Sequence, residues 1–223
     1  HTERTRRAKS STGISLSGLG SWMLVVTVTI VVSGTFIVQD VQQLRGGRTA
    51  IHAAHLAQNG DASMALLELQ RAIDLAPGVS AYPNMLFNLI RSYAQGDADL
   101  ASRQALLELG REALIKYSER DPFDIATQQL LALATVKLFE EGREDLRQEV
   151  IGRYINLGQS VPNFYDFQSV VGHGFLIAGD NELALGAANY SISLEQEKTY
   201  SWWVRGVALN NLGEHTESMA AFE

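Results

Sequence analysis

The chain has 223 residues, 46% of them apolar, which is enough for one or two domains with a sizeable core. It contains no cysteine, and this excludes disulfides, thiolate catalysis and cysteine-based zinc sites together. Net charge is −7 at pH 7, yet the first nine residues carry +3 (Arg4, Arg6, Arg7 and Lys9 against Glu3), so the remainder carries −10. An acidic body argues against nucleic acid as a partner, because that binding is driven by phosphate neutralisation.

Residues 1–13 read as a basic cytoplasmic tail. No charge occurs from Ser10 to Gln39, and residues 19–38 read LGSWMLVVTVTIVVSGTFIV. A helix rises about 1.5 Å per residue, so some 20 such residues span roughly 30 Å, the thickness of a bilayer's hydrocarbon. The run is rich in β-branched residues, which favour strands in water, but in lipid only a helix satisfies its own backbone groups. A transmembrane helix over 14–39 is therefore predicted. The run is too long for a signal peptide, and Val38-Gln39-Asp40 offers no cleavage site. Four basic residues precede the span, whereas Asp40, Arg45 and Arg48 follow it. The positive-inside rule then puts the N-terminus in the cytoplasm and residues 40–223 outside, at the inner (cytoplasmic) membrane. Gly13, Gly18, Gly20, Ser33 and Gly34 could form a small-residue face for a neighbouring helix.

Beyond Asp40 the sequence is punctuated by Gly60-Asp61, Gly96-Asp97, Gly142-Arg143, Gly179-Asp180 and Gly213-Glu214, spaced by 36, 46, 37 and 34 residues. Each joins two helical patterns. Glycine suits a helix C-cap and aspartate the next N-cap. Helices are predicted at 46–59, 62–76, 81–95, 99–118, 123–141, 143–157, 163–178, 181–195, 199–212 and 215–223, an all-α solenoid of about five helix pairs over 40–223. In GDASMALLELQRAIDLAP, Ala65, Leu69, Ala72 and Pro77 stand at offsets 0, 4, 7 and 12. Gly172, Phe175, Gly179, Ala184 and Ala188 recur 34 residues later as Gly206, Leu209, Gly213, Ser218 and Phe222, with Trp202 four before Gly206. Spacing and residue types together resemble the tetratricopeptide (TPR) repeat, specifically over 46–77 and 163–223. Between these stretches the match is looser. The second unit has an insertion near Gly96–Gln104, and the third shows Arg147 where a small residue is expected. The chain ends at Glu223 inside a predicted helix with an apolar face, which reads as an incomplete last repeat of a longer polypeptide.

The order of parts carries a second resemblance. A basic stretch, a membrane helix, a short linker and then AIHAAHLAQNGDASMALLELQRAIDLAPGVSAY, with a DP turn at Asp121-Pro122, looks like the C-terminal region of the O-antigen ligase/polymerase-like membrane proteins of bacteria. It covers about residues 15–160. It implies an extracytoplasmic accessory domain of a cell-surface polysaccharide enzyme, with the catalytic region upstream of this chain; no catalytic residue carries over.

Little in the residues points to chemistry. His52 and His55 lie three apart, a spacing that suits a metal pair, but no carboxylate or further histidine is placed beside them, and a polar helix position explains them. Gly172-His173-Gly174 falls mid-helix and is not a phosphate loop. Glu140-Glu141 are adjacent, so they point to different faces and read as a solvated helix end. There is no P-loop, nucleophile elbow, kinase or zinc motif. No catalytic, metal or cofactor site is predicted, and no small-molecule substrate.

TPR arrays bind partners in the groove lined by the first helix of each pair. The inward candidates are Asp166, Ser169, His173, Leu176, Ile177, Tyr200, Trp203, Val207, Asn210 and Asn211. Residues 163–197 hold no Lys or Arg, so a clamp for carboxylate termini is not expected there. An extended or helical peptide held by apolar and amide contacts fits better. Phe164, Tyr165 and Phe167 are either part of this surface or packing between repeats three and four. The reading is a membrane-anchored scaffold for protein partners, a subunit of a larger membrane complex.

Overall fold

The computed structural model describes residues 16–94, 99–197 and 199–223; of residues 16–26 and 28–34 it describes the backbone alone. Every regular element among the described residues is helical. They are α1 (Leu16–Gln58), α2 (Ala62–Leu75), α3 (Ala81–Ala94), α4 (Leu100–Ser118), α5 (Ile125–Glu140), α6 (Arg147–Ser160), α7 (Tyr165–Ile177), α8 (Asn181–Leu194), α9 (Thr199–Leu212) and α10 (His215–Phe222). A 3-10 turn, Glu144–Leu146, precedes α6. The chain divides into two compact units, His1–Leu44 and Arg45–Glu223.

In the first unit the backbone is helical from Leu16 onward. Phe36, Ile37, Val38, Val41 and Leu44 are all exposed, although they point around the helix rather than along one stripe. Among the described residues no helix is long and apolar enough to cross a membrane. The predicted span 14–39 lies mostly outside the residues whose side chains are described, and so do the basic tail 1–13 and the small-residue face.

The predicted break between 39 and 46 is absent, since α1 runs through it. Gly46 and Gly47 suggest a linker by composition, but within the second unit Gly46 serves close packing. A Cβ there would lie 3.1 Å from both Ala76 Cβ and the Tyr82 ring. The glycine lets α1 sit directly on α2 and α3, where Ala50 and Ala53 join Leu69, Ala72, Leu86 and Phe87 in one buried cluster.

The second unit is a TPR-like α-solenoid. Successive helices from α2 to α10 pack on one another, and the first helices of neighbouring pairs also touch: α3 on α5, α5 on α7, α7 on α9. Four of the five predicted glycine turns have the left-handed backbone that turn requires: Gly60, Gly142, Gly179 and Gly213, with φ from +72° to +94°. At each, the glycine N–H and the next residue's N–H return to carbonyls of the finished helix, as in Gly179 to Leu176 at 3.0 Å and Asp180 to Phe175 at 2.9 Å. Asp61 and Asp180 then cap the following helices, accepting from Met64 N at 3.3 Å and Leu183 N at 3.1 Å. Gly96-Asp97 lie outside the described residues, and the cap of α4 is Asp99, on Ser102 N at 3.0 Å.

The middle repeats are more regular than their sequence suggests. Gly110, Leu114 and Tyr117 are buried on α4, and Pro122 follows, at the same offsets as Ala65, Leu69, Ala72 and Pro77. Val150, Tyr154, Leu157 and Pro162 repeat the spacing on α6. The third repeat therefore starts its second helix face at Val150, and Arg147 does not occupy the small position. The 3-10 turn after Gly142 adds three residues and moves the register. Three of the four prolines thus end second helices. Arg147, displaced from the core face, reaches the end of α7, where its Nε donates to Ala178 O at 2.7 Å. A cation on the last carbonyls of a helix is favourable.

Candidate partner-binding face

The ten inward candidates are five repeat positions sampled twice. Asp166, Ser169, His173, Leu176 and Ile177 on α7 recur 34 residues later as Tyr200, Trp203, Val207, Asn210 and Asn211 on α9. Gly172 makes the two helices close neighbours, because a Cβ there would stand 3.0 Å from Val204 of α9.

Three of the candidates meet. The rings of Tyr200 and Trp203 stack, with centroids 5.6 Å apart and planes at 9°. His173 stands edge-on to both, at 5.9 Å from Tyr200 and 5.5 Å from Trp203. Tyr200 is 42% and Trp203 41% exposed, so about half of each ring remains open to solvent. Residues i and i+3 on a helix are neighbours, which explains the stack; His173 reaches it from α7.

The surroundings set the electrostatics. Burial holds the His173 imidazole below its ordinary pKa, opposed by the Glu140 carboxylate and assisted by the Lys137 ammonium. Glu140 and Lys137 of α5 pair at 2.6 Å. Burial pushes the Tyr200 phenol up. Tyr154 of α6 rises to about 12 through burial first, with Glu140 and Tyr200 adding to it. The cluster thus draws on three repeats: Lys137, Glu140 and Tyr154 from the third, His173 from the fourth, Tyr200 and Trp203 from the fifth. Lys137 and Glu140 were not foreseen beside the face, and Tyr154 lies beneath it in the core. Glu140 reads as a solvated helix end in the sequence, and only the i, i+3 spacing to Lys137 hints at its pairing. Glu141, its neighbour, is engaged by Arg103 at 2.8 Å.

The remaining candidates divide. Asp166 is exposed and Val207 half-buried. Ser169 is only 4% exposed, and its hydroxyl donates back to Asp166 O at 2.8 Å, so it does not reach the face. Leu176 and Ile177 lean onto the core of repeats three to five. Asn210 and Asn211 spend their amides on neighbouring helices: Asn210 Oδ1 lies 3.2 Å from His215 Nδ1, and Asn211 Nδ2 donates to Asn181 Oδ1 at 3.0 Å. Of the aromatic trio, Phe167 packs into the core, while Phe164 is exposed and tilts against Tyr165 at 5.7 Å. His52 and His55 are exposed, and among the described residues no group of three or more His, Cys, Asp or Glu could hold a metal ion.

Known proteins agree with this architecture at the level of fold. The MamA RS-1 ArsTM double mutant superposes with a TM-score of 0.61 at 9% identity, over 80% of this chain and 90% of that one. Another crystal structure of MamA gives 0.57 at 16%, over 83% and 88%. TTC0263, a thermophilic TPR protein of Thermus thermophilus, gives 0.52 at 14%, over 79% and 87%. These likenesses show a TPR-like fold and do not show the O-antigen ligase resemblance. No family model matches the chain, and no curated protein matches it.

Proposed function

We propose that this chain is a membrane-anchored TPR scaffold whose inner face binds protein partners within a larger membrane complex. The observation that carries the reading is the half-open Tyr200–Trp203 stack with His173 on the surface where neighbouring first helices meet. Aromatic side chains held rigid by packing, with a polar rim, are the usual anchors of protein interfaces. The solenoid itself has the shape class that TPR-like proteins use to bind others. Support for the anchor comes from the uncharged run Ser10–Gln39 and from Phe36, Ile37, Val38, Val41 and Leu44, exposed around α1 where water would not favour them. In this reading the N-terminus is cytoplasmic and the repeats extracytoplasmic.

Site-specific photocrosslinking in intact membranes tests the scaffold. A photoreactive residue at position 203 should give discrete protein adducts, whereas one at exposed Ser193 on α8 should not. Equal labelling from both positions, or none from either, would overturn the reading. In the same preparation, protease added to spheroplasts should reach the repeats; full protection until lysis would reverse the orientation.

A further inference from the structure

We propose that the Tyr200–Trp203 stack is a seat for a basic peptide segment, whose Lys or Arg side chain lies on the open rings and is countered by Glu140 and Asp166. This rests on the partner-binding reading above and adds the partner's chemistry.

Three observations converge on it. The first is the shape and chemistry of the seat. Two parallel rings, half-exposed and braced edge-on by His173, offer flat π faces, and such faces attract a guanidinium or ammonium within about 6 Å of the centroid. The second is the chain's own use of that chemistry one residue away. Arg205 places its guanidinium 5.2 Å from the centroid of Trp202. Trp202 is thereby occupied from within the helix, while among the described residues no cation lies over Trp203.

The third is charge. Residues 163–197 carry Asp166, Asp180, Glu182, Glu195 and Glu197 and no Lys or Arg. Among the described residues none of these five forms an ion pair. Asp166 is exposed at the repeat position that Tyr200 occupies one unit later. Glu140 is close enough to act on His173, and the base it pairs with, Lys137, is 40% exposed, so an incoming cation can share that carboxylate. An acidic peptide would meet the exposed Asp166 carboxylate on this side of the solenoid, whereas a basic one would find a counter-charge there.

The test uses the full chain in zwitterionic detergent micelles and three fluorescently labelled octapeptides: alternating Arg-Ala, alternating Glu-Ala and alternating Ser-Leu. Polarisation titrations at low salt should show saturable binding of the Arg-Ala peptide alone. Trp203→Ala should weaken it about tenfold, Trp203→Phe by much less, and Asp166→Asn about threefold, these being the range of cation–π and exposed ion-pair contributions. Position 203 is exposed, so circular dichroism melting of Trp203→Ala should match the parent; if it does not, Trp203→Phe and Asp166→Asn still decide the question. Arg-Ala binding that ignores both Trp203 substitutions would mean diffuse charge attraction and would overturn the proposal. Binding of the Ser-Leu peptide that depends on Trp203 would overturn the basic occupant but keep the groove. Binding of no peptide, with position 203 silent in crosslinking, would remove both.

Discussion

Where α4 reaches α6, Arg111 Nη2 donates to both oxygens of Glu149, at 2.6 and 2.8 Å, and Arg153 donates to the same carboxylate at 2.6 Å. Where α8 meets α9, uncharged groups make the contact: Ser191 Oγ lies 2.7 Å from Ser201 Oγ, and Asn211 bonds Asn181 at 3.0 Å. The same helix-pair fold is joined by guanidinium–carboxylate bridges in its middle and by close packing of small groups towards its end. The residues at the seventh offset of each second helix explain the difference. They are Tyr117 and Leu157 in the middle repeats, but Ala72 and Ser191 in the first and fourth. Where that residue is large, the long Arg111 side chain makes the contact from α4 to α6. Where it is small, Ser191 also bonds Tyr165 O at 2.8 Å, and Ser218, at the first offset of α10, bonds Gly206 O at 2.8 Å. Among the described residues, no ion pair falls within 165–223.

If the two seams differ in this way, volume should matter most at the second and charge at the first. The largest volume effect is expected where α6 meets α7, from Gly174→Ala, because a Cβ there would run into the ring of Tyr154. That ring is 5% exposed and is held edge-on by Phe175 at 6.3 Å, so it has nowhere to move. A cost of about 3 kcal/mol in urea unfolding is expected, the upper end for overpacking. Gly206→Ala meets Phe222 at 2.5 Å, yet that ring is 54% exposed and free to swing, so its cost should be far smaller. Equal costs at the two glycines would break the comparison.

At the first seam, Arg111→Met should cost about 2 kcal/mol, because Glu108 and Glu149 lose charge-assisted partners inside a half-buried network. Adding Glu149→Leu should recover part of that loss, since the carboxylate left without Arg111 is then removed, although Arg153 loses its partner. A double variant no better than the single one would show that the ion pairs themselves, rather than the filling of the gap, join the repeats.

Most of this architecture was legible from spacing alone. Helix positions and four glycine turns follow from the 3.6-residue pattern and from Gly at the C-cap, because those signals are local. What escaped was non-local. Gly46-Gly47 has the composition of a linker, and only the approach of Ala76 and Tyr82 shows why glycine is needed inside a helix. The middle repeats hid because the 3-10 turn shifts one register and because Gly110 and Val150 do not look alike as "small" positions. At the face, the ring positions were readable from the 34-residue period. The nearness of Glu140 and Lys137 to His173 was not, since α5 belongs to the preceding repeat and the contact is non-local. Ser169 shows the opposite case: it has the right spacing, but its hydroxyl bonds its own helix and the residue is buried.

The smallest and sharpest contrast should appear on acidification. His173, in the second region, is held below its ordinary value by burial. The unfolded chain therefore takes up a proton there from about pH 6.5 downward while the folded chain resists it, and stability near α7 and α9 falls as pH drops through that window. In the first region, burial raises the Glu149 carboxyl, but the guanidinia of Arg111 and Arg153 outweigh it and leave the group below its ordinary value of 4.5. Its contribution is complete above pH 4.5 and is lost only as pH falls through the lower folded value. Glu149 is substantially solvated, so the effect should stay below about 1 kcal/mol. Amide hydrogen exchange, corrected for intrinsic rates, should show α7 and α9 losing protection as pH falls below about 6.5 and α4 and α6 only below pH 4.5. His173→Gln should remove the first step and leave the second. Simultaneous loss across both regions would mean that the two seams open as one cooperative unit, whatever holds each of them closed.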